Sequence, residues 1–378
     1  GPGETRSRSA GGGGAGSAPA RGRAGRAAVL GCETMVADDW QYCREVLPRV
    51  SRTFALNIRL LSGSLRDAVC VAYLLCRICD ALEDSWPGPA NEIRSRFERL
   101  RLAIAGSDEA SASLAADAAR IAAGRDDLAL VAGLARVLRC FQSLDASDRS
   151  AIAECVGAMS NGMSRFAERG ASLPAEAAYL ENEAELHEYC WAVSGCVGVM
   201  LTRRFNRRTV DSRPQLVVAR MAAAAAVGEA LQLTNIILDW PADVRRGCCF
   251  VPGEWLREFG LVPSELVGAP RPQQRVLLDR LEQLARTALA RVPEYLDAVP
   301  LRAVRFRLFC LWPSLWAAAS LRHARRDPGF PWAAERPRLP RLRLWSIALG
   351  SLVTAHHPRS LRWYSRDLAL PAPRSAVL

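Results

Sequence analysis

From Asp38 onward, apolar residues recur every three or four positions almost without interruption, and alternating β-branched segments are absent. This period is typical of amphipathic helices rather than of strands. Half of the 378 residues are hydrophobic, which is enough for a sizeable core. The sequence therefore predicts an all-α fold in one large helical bundle. Segments rich in Gly, Pro and Ser separate the helices at 85–91, 105–111, 245–253, 267–272 and 325–340.

Composition divides the chain into three parts. Residues 1–36 are of low complexity, dominated by Gly, Ala and Arg, and we expect them to be disordered. Residues 37–370 form the predicted all-α domain, and residues 371–378 form a C-terminal tail. Several of the twelve cysteines lie in apolar helical stretches, which indicates reduced thiols inside a core and a cytoplasmic protein.

The net charge of +11 is concentrated near the C-terminus. Residues 301–378 contain 14 arginines against three acidic residues, so their surplus is 14 − 3 = 11. Such a region favours a phosphate site (that of NADPH, for example), a contact with an anionic membrane surface, or a solvated basic face. No nucleic-acid-binding motif accompanies it, so we expect no nucleic-acid partner. No apolar run reaches the roughly 18 residues of a membrane span, so we expect no transmembrane helix.

A polar stripe follows the first strongly apolar helix. Tyr73, Arg77, Asp80 and Asp84 are separated by steps of four, three and four residues, which places them on one helical face. The residues between them are apolar. An isolated pair of acids would normally mark a helix emerging into solvent, but the aligned tyrosine and arginine favour a site.

A second stripe of the same kind lies in residues 228–252. Gln232, Asn235, Asp239 and Asp243 are spaced by three, four and four residues within an apolar, alanine-rich helix. Amides inside such a helix are costly unless a polar group faces them. Two stripes together indicate a binding site between two helices.

Opposed carboxylates predict a site for divalent cations and a diphosphate. Mg²⁺ prefers oxygen ligands and is commonly held by one or two carboxylates together with substrate phosphates. Mn²⁺ is a second candidate ion. Apolar walls around such a site would accept a hydrocarbon chain and keep water from a carbocation.

These residues resemble the squalene/phytoene synthase family, whose members join two prenyl diphosphates head to head. The resemblance covers most of the chain, and the motifs favour the squalene synthases. The similar segments are YCREVLPRVSRTFA (42–55), VCVAYLLCRICDALED (69–84), YCWAVSGCVGVMLTRRF (189–205), GEALQLTNIILDWPADVRRG (228–247) and FCLWPSLW (309–316).

The resemblance implies an isoprenoid synthase fold with a central cavity, and it implies roles for individual residues. Asp80 and Asp84 would bind Mg²⁺ at one substrate, and Asp239 and Asp243 at the other. The residues implied to contact diphosphate are Ser51, Arg52, Arg77, Gln232 and Asn235. Those implied to line the reaction centre are Tyr73, Tyr189, Arg77, Phe54 and Phe309.

The implied reaction is condensation of two farnesyl diphosphates to presqualene diphosphate, followed by reduction with NADPH to squalene. The alternatives are a phytoene or dehydrosqualene synthase that needs no NADPH, a non-catalytic family member, and a terpene cyclase acting on one substrate. We expect a monomer with peripheral membrane contact, although the sequence fixes neither the oligomeric state nor the prenyl chain length.

The chain departs from the family pattern at four positions. Leu238 stands where an arginine is usual, Cys248 where a basic residue is common, and Ser314 where squalene synthases usually have glutamine. Pro241 falls between the two aspartates of the second stripe, where a proline is expected to kink or end the helix.

Overall fold

The fold is that of a computed structural model, which describes residues 21–87, 92–174, 176–208, 213–332 and 336–354. All regular elements in these ranges are helical, and they contain no strand, which confirms the predicted all-α bundle. The first helices are α1 Arg21–Val50, α2 Arg52–Ile58, α3 Gly63–Asp80, α4 Ile93–Ile104, α5 Asp108–Ile121, α6 Asp126–Ala132, α7 Leu134–Gln142 and α8 Ala146–Ser172. They are followed by α9 Glu183–Cys190, α10 Cys196–Arg208, α11 Pro214–Arg245, α12 Gly253–Glu258, α13 Pro272–Leu289, α14 Arg291–Asp297, α15 Val304–Arg326 and α16 Arg341–Thr354.

The N-terminal and C-terminal segments are described only in part. Helix α1 begins at Arg21, so residues 21–36, which the composition predicts to be disordered, are helical here. Alanine and arginine, which dominate residues 20–29, both have high helix propensity. Residues 1–20 and the predicted tail at 371–378 lie outside the described part of the chain.

Helix α11 is the centre of the bundle. It packs against α10, α13, α14 and α15, while α3 packs against α1 and α8. A seam of small residues brings α11 close to the segment before α10: a Cβ on Gly228 would lie 2.2 Å from the carbonyl oxygen of Ser194. The hydroxyl of Ser194 also donates to the carbonyl of Gly228 at 2.9 Å. Only glycine permits this approach of two backbones.

Two helices continue into short π-helical turns. One turn, Ala81–Ser85, extends α3, and the other, Trp191–Gly195, joins α9 to α10. Such turns occur frequently at functional sites because the wider turn redirects side chains. Here the first turn carries Asp84 of the first stripe, and the second turn lies in the segment 189–205 that resembles the family's motifs.

Of the two effects predicted for Pro241, the ending of the helix is wrong, because α11 continues through it to Arg245. Packing holds this stretch in place despite the missing N–H. Pro241 and its neighbour Trp240 are buried, and the Trp240 indole donates to the carbonyl of Leu266 at 3.0 Å.

One helix among the described residues, α11, has a length and composition that would allow it to cross a membrane. This differs from the expectation of no such segment. Since α11 is also the central helix of the bundle, it is no clear indication of a membrane span.

Candidate active site

One wall of a cavity is formed by the end of α3 and the π-helical turn after it. Arg77, Asp80 and Asp84 line it, as the first stripe predicts, and Glu83 lies with them. The Arg77 guanidinium donates to Asp80 Oδ2 at 2.9 Å and also faces Asp127 at 3.6 Å. Residues three and four positions apart on a helix are neighbours, so Asp80, Glu83 and Asp84 form a single acidic cluster.

The opposite wall is one face of α11. Gln232, Asn235, Asp239 and Asp243 all line the same cavity, which confirms that the second stripe faces the first. The cavity has a volume of about 230 Å³. Its apolar lining consists of Met163, Val193, Ile236 and Phe250.

Three arginines pair with all four aspartates of the two stripes. Beyond the Arg77–Asp80 pair, Arg246 bridges the two walls by contacting both Asp84 and Asp243, the latter at 3.0 Å. Arg336, which lies shortly before α16, donates to Asp239 Oδ2 at 2.6 Å and to Asn235 Oδ1 at 3.3 Å. Each of the four aspartates is therefore paired with an arginine of the chain itself.

Burial raises the pKa of the carboxyl groups in the cavity. For Asp80 it raises the pKa to about 6, against the opposing effect of Arg77 and with a further increase from Asp84. For Asp243 burial raises the pKa to about 7, although Arg246 opposes it. The pKa of Asp239 is also raised by burial, with Arg336 lowering it. Such clusters of perturbed carboxyl groups in one cavity are typical of functional sites.

Tyr189 lines the same cavity as the acidic cluster. Its hydroxyl donates to Glu83 Oε2 at 3.4 Å, while Tyr179 donates to Glu83 Oε1 at 3.3 Å. Burial and the nearby Glu83 raise the pKa of both tyrosines well above the ordinary value, so both remain protonated at neutral pH. Phe250 packs against both rings.

A second group of predicted residues lies apart from the described lining of this cavity. Tyr73 is seven residues before Asp80, about 10 Å along α3, and its ring stacks on Phe54 at 5.1 Å. Ser51 caps α2 by accepting from the backbone N–H of Phe54 at 3.3 Å. The exposed Arg52 follows directly as the first residue of α2.

Phe309 is buried in α15 next to this second group. Its carbonyl accepts a hydrogen bond from the Asn57 amide of α2 at 2.8 Å, and its ring lies 6.1 Å from that of Phe306. The roles implied for Phe54, Phe309, Tyr73, Ser51 and Arg52 stay predictions.

The donor set fits Mg²⁺ held jointly with a diphosphate. The carboxylates come from opposite walls, and no three of the His, Cys, Asp and Glu side chains in the described ranges converge on a single point. Mg²⁺ retains waters and binds through one or two carboxylates plus phosphate oxygens, so it does not require a complete protein cage.

Sequence reasoning missed Glu83, Tyr179, Arg246 and Arg336 as site residues. Glu83 is three residues after Asp80 and Arg246 three after Asp243, so helical spacing was a usable signal for both. Tyr179 contacts Glu83 and Arg336 lines the cavity, each from a loop distant in sequence, and no local pattern marks either residue.

The helical bundle and its two opposed carboxylate rows define the class of all-α isoprenoid synthases. The family model described as squalene/phytoene synthase matches residues 47–343, and this chain belongs to that family. Its members are prenyltransferases.

Relatives with different products are similar to this chain. The squalene synthase of Homo sapiens is 27% identical over 74% of this chain and 62% of its own length. The squalene synthase BSS of Botryococcus braunii is 29% identical over 55% of this chain and 41% of its own length. The chain thus spans about two fifths to three fifths of the length of these two squalene synthases. The 15-cis-phytoene synthase of Synechococcus elongatus is 25% identical over 76% of this chain and 82% of its own length.

Solved structures show the same fold. A ligand complex of TcSQS superposes with a TM-score of 0.68 at 20% identity and covers 89% of this chain and 94% of its own. A ligand complex of a dehydrosqualene synthase gives a TM-score of 0.57 at 18% identity, covering 89% and 99%.

Proposed function

We propose that the chain condenses two farnesyl diphosphates head to head to presqualene diphosphate and reduces this product with NADPH to squalene. The observation that carries the proposal is the pair of aspartate rows, Asp80 with Asp84 and Asp239 with Asp243, on opposite walls of one cavity. Two rows provide one anchoring point for each of two diphosphates. The similarity to squalene synthases supports the choice of product.

The four aspartates are the proposed ligands of Mg²⁺, with Mn²⁺ as a substitute. When bound, the ions neutralise the diphosphate and make it a better leaving group. Asn235 and Gln232 stand beside the second row and offer amide hydrogen bonds to phosphate oxygens.

The arginines are proposed to exchange their aspartate partners for the oxygens of a bound diphosphate. Arg246 and Arg336 pair with aspartates in the ligand-free protein, and a diphosphate entering the cavity offers oxygens that suit their forked donors. Arg77 is held by Asp80 and faces the same space. Its charge is proposed to stabilise the departing diphosphate.

Tyr189 and the apolar lining are proposed to act at the reacting carbons. Tyr189 stays protonated, and its hydroxyl proton, which it donates to Glu83 in the ligand-free protein, is proposed to turn to a diphosphate oxygen when substrate binds. Phe250, Val193 and Met163 line the cavity and exclude water from an allylic cation. Tyr73, Phe54 and Phe309 are proposed to extend this apolar wall, and Ser51 with Arg52 to cover the diphosphate.

NADPH has no assigned residues. The described cavity has a volume of about 230 Å³, below the roughly 300–1,000 Å³ that holds drug-sized ligands, so it accounts for the diphosphate ends of the substrates and not for a dinucleotide. Product analysis with and without NADPH decides whether turnover requires it.

A second candidate is a phytoene or dehydrosqualene synthase without NADPH. The phytoene synthase of Synechococcus elongatus is matched over 82% of its length, more than either squalene synthase above. Two departures from the usual pattern also bear on the product, because both stand in segments that resemble the family's motifs. Leu238 replaces a usual arginine, and Ser314 stands where squalene synthases usually have glutamine.

The test is incubation of the purified protein with labelled farnesyl diphosphate and Mg²⁺, with and without NADPH. We expect presqualene diphosphate without NADPH and squalene with it, each identified by mass spectrometry. A product that NADPH leaves unchanged contradicts squalene synthesis and supports the second candidate. Turnover of geranylgeranyl diphosphate alone would redirect the substrate, and a cyclic product from one chain would indicate a terpene cyclase.

Asp80→Asn tests whether the acidic rows carry the reaction. We expect a loss of at least about 100-fold in turnover, as for other preorganised electrostatic groups. Asp67→Asn is the matched control, since Asp67 lies on the same helix about 20 Å from Asp80 and pairs only weakly, at 3.7 Å, with Arg66. Full biological function of the Asp80 variant would instead indicate a non-catalytic family member.

A further inference from the structure

The outer face of α16 carries an apolar stripe that the described protein leaves uncovered. Its side chains are separated by steps of three, four and three residues, so they share one helical face. The stripe consists of Leu342, Trp345, Leu349 and Leu352, which are 82%, 53%, 61% and 40% exposed. Four of the nine large exposed hydrophobic residues in the described ranges thus lie on one short helix.

The stripe is not the result of a loosely attached helix, because the opposite face of α16 is anchored on α15. The Trp312 indole donates to Ser351 Oγ at 2.7 Å, and the Trp316 indole donates to the carbonyl of Leu344 at 3.2 Å. Ile347 is buried in the same contact. With one apolar face inside the protein, α16 still presents a second one outward.

The surroundings of the stripe are positively charged. Arg338, Arg341 and Arg343 are exposed at the beginning of α16, and residues 341–354 contain no acidic side chain. The positive end of the helix dipole adds to this charge. Apolar side chains flanked by arginines match the boundary of an anionic bilayer, where headgroups bind the arginines and acyl chains accept the apolar groups.

We propose that the outer face of α16 docks on an anionic lipid bilayer, with the helix lying in the plane of the surface. The helix is far too short to cross the bilayer, so the attachment is peripheral. Trp345 is part of the stripe, and indole rings are enriched at the interface between headgroups and acyl chains. This proposal concerns binding alone and does not depend on the reaction proposed above.

The experiment is co-sedimentation of the full-length protein with vesicles of phosphatidylcholine alone or mixed with phosphatidylglycerol. We expect binding to the anionic vesicles, weakening with added salt. The double variant Leu342→Gln with Leu349→Gln should lower the partition coefficient at least about ten-fold, because both side chains are strongly exposed and enter the lipid. Arg341→Gln with Arg343→Gln should lower it roughly five-fold per arginine.

Val218→Gln is the matched control, because Val218 is 68% exposed on a different helix, α11. We expect it to bind vesicles like the parent protein. All the replaced side chains are exposed, so circular dichroism and melting temperature should stay unchanged.

Three results would overturn the proposal. The first is no binding to anionic vesicles. The second is binding that survives the double leucine variant, which would show a nonspecific basic attraction. The third is a parent dimer, detected by light scattering, that the leucine variant converts to monomer, which would show that a second copy covers the stripe.

Discussion

Replacing Asp243 by Asn should stabilise the ligand-free protein at neutral and alkaline pH while removing the metal ligand proposed at this position. Burial raises the pKa of Asp243 from its ordinary value of 3.8 to about 7 in the folded protein, although Arg246 opposes the shift. The folded state therefore holds the proton more tightly than the unfolded chain does. Ionisation of this carboxyl reduces stability progressively as the pH rises from about 4 to about 7.

The size of the effect follows from the pKa difference. About three pKa units correspond to roughly 4 kcal/mol, and this is an upper limit because the site relaxes and admits water. Asn has nearly the shape of the protonated acid and never ionises. We therefore expect the free energy of unfolding of the Asp243→Asn variant to exceed that of the parent by about 2–4 kcal/mol near pH 8. Near pH 4 the difference should be less than about 1 kcal/mol.

The assay is urea denaturation with a metal chelator present, at both pH values, for the parent, Asp243→Asn and the control Asp67→Asn. Asp67 lies on α3 beside Arg66, outside the described cavity lining. The control should show no comparable gain. An equal gain for Asp243→Asn at both pH values, or a loss near pH 8, would refute the reasoning.

Three further predictions concern the cavity and the helix seam. Tyr179→Phe removes one of the two donors to Glu83, and we expect kcat to fall about ten-fold with an unchanged far-UV spectrum; an unchanged kcat would show that the contact has no role in turnover. Arg336→Gln should raise the KM for the prenyl diphosphate about ten-fold, measured in steady-state assays, and should strengthen binding of Mg²⁺ alone in calorimetry, because Asp239 loses its partner. Gly228→Ala places a Cβ 2.2 Å from a carbonyl oxygen and should reduce stability in thermal denaturation by about 1–3 kcal/mol. Gly157→Ala, with open space around it, is the control and should be neutral or stabilising. Equal effects of the two substitutions would contradict the packing argument.

The fold class and the acidic rows follow from helical periodicity, because a side chain's face is fixed by its spacing along a helix. Asp80 and Asp239 could thus be assigned to facing walls from spacing and family resemblance together. Arg336 could not, since 97 residues separate it from Asp239 and only the folded chain brings them together. Pro241 shows the opposite case: local propensity predicted a kink or an end of the helix, and the helix nevertheless continues to Arg245 within the packed core.

Under the proposed function, the pairing of every site aspartate with an arginine affects the order in which the metal and the diphosphate bind. A bare divalent cation finds its acidic partners already occupied by guanidinium groups, and it must displace like charge to reach them. A cation chelated by pyrophosphate brings a replacement anion for those guanidinium groups. The arginines then keep an ionic partner when the aspartates bind the cation. Loading would then be cooperative, with little metal retained by the resting enzyme and tight retention only once the organic substrate is present.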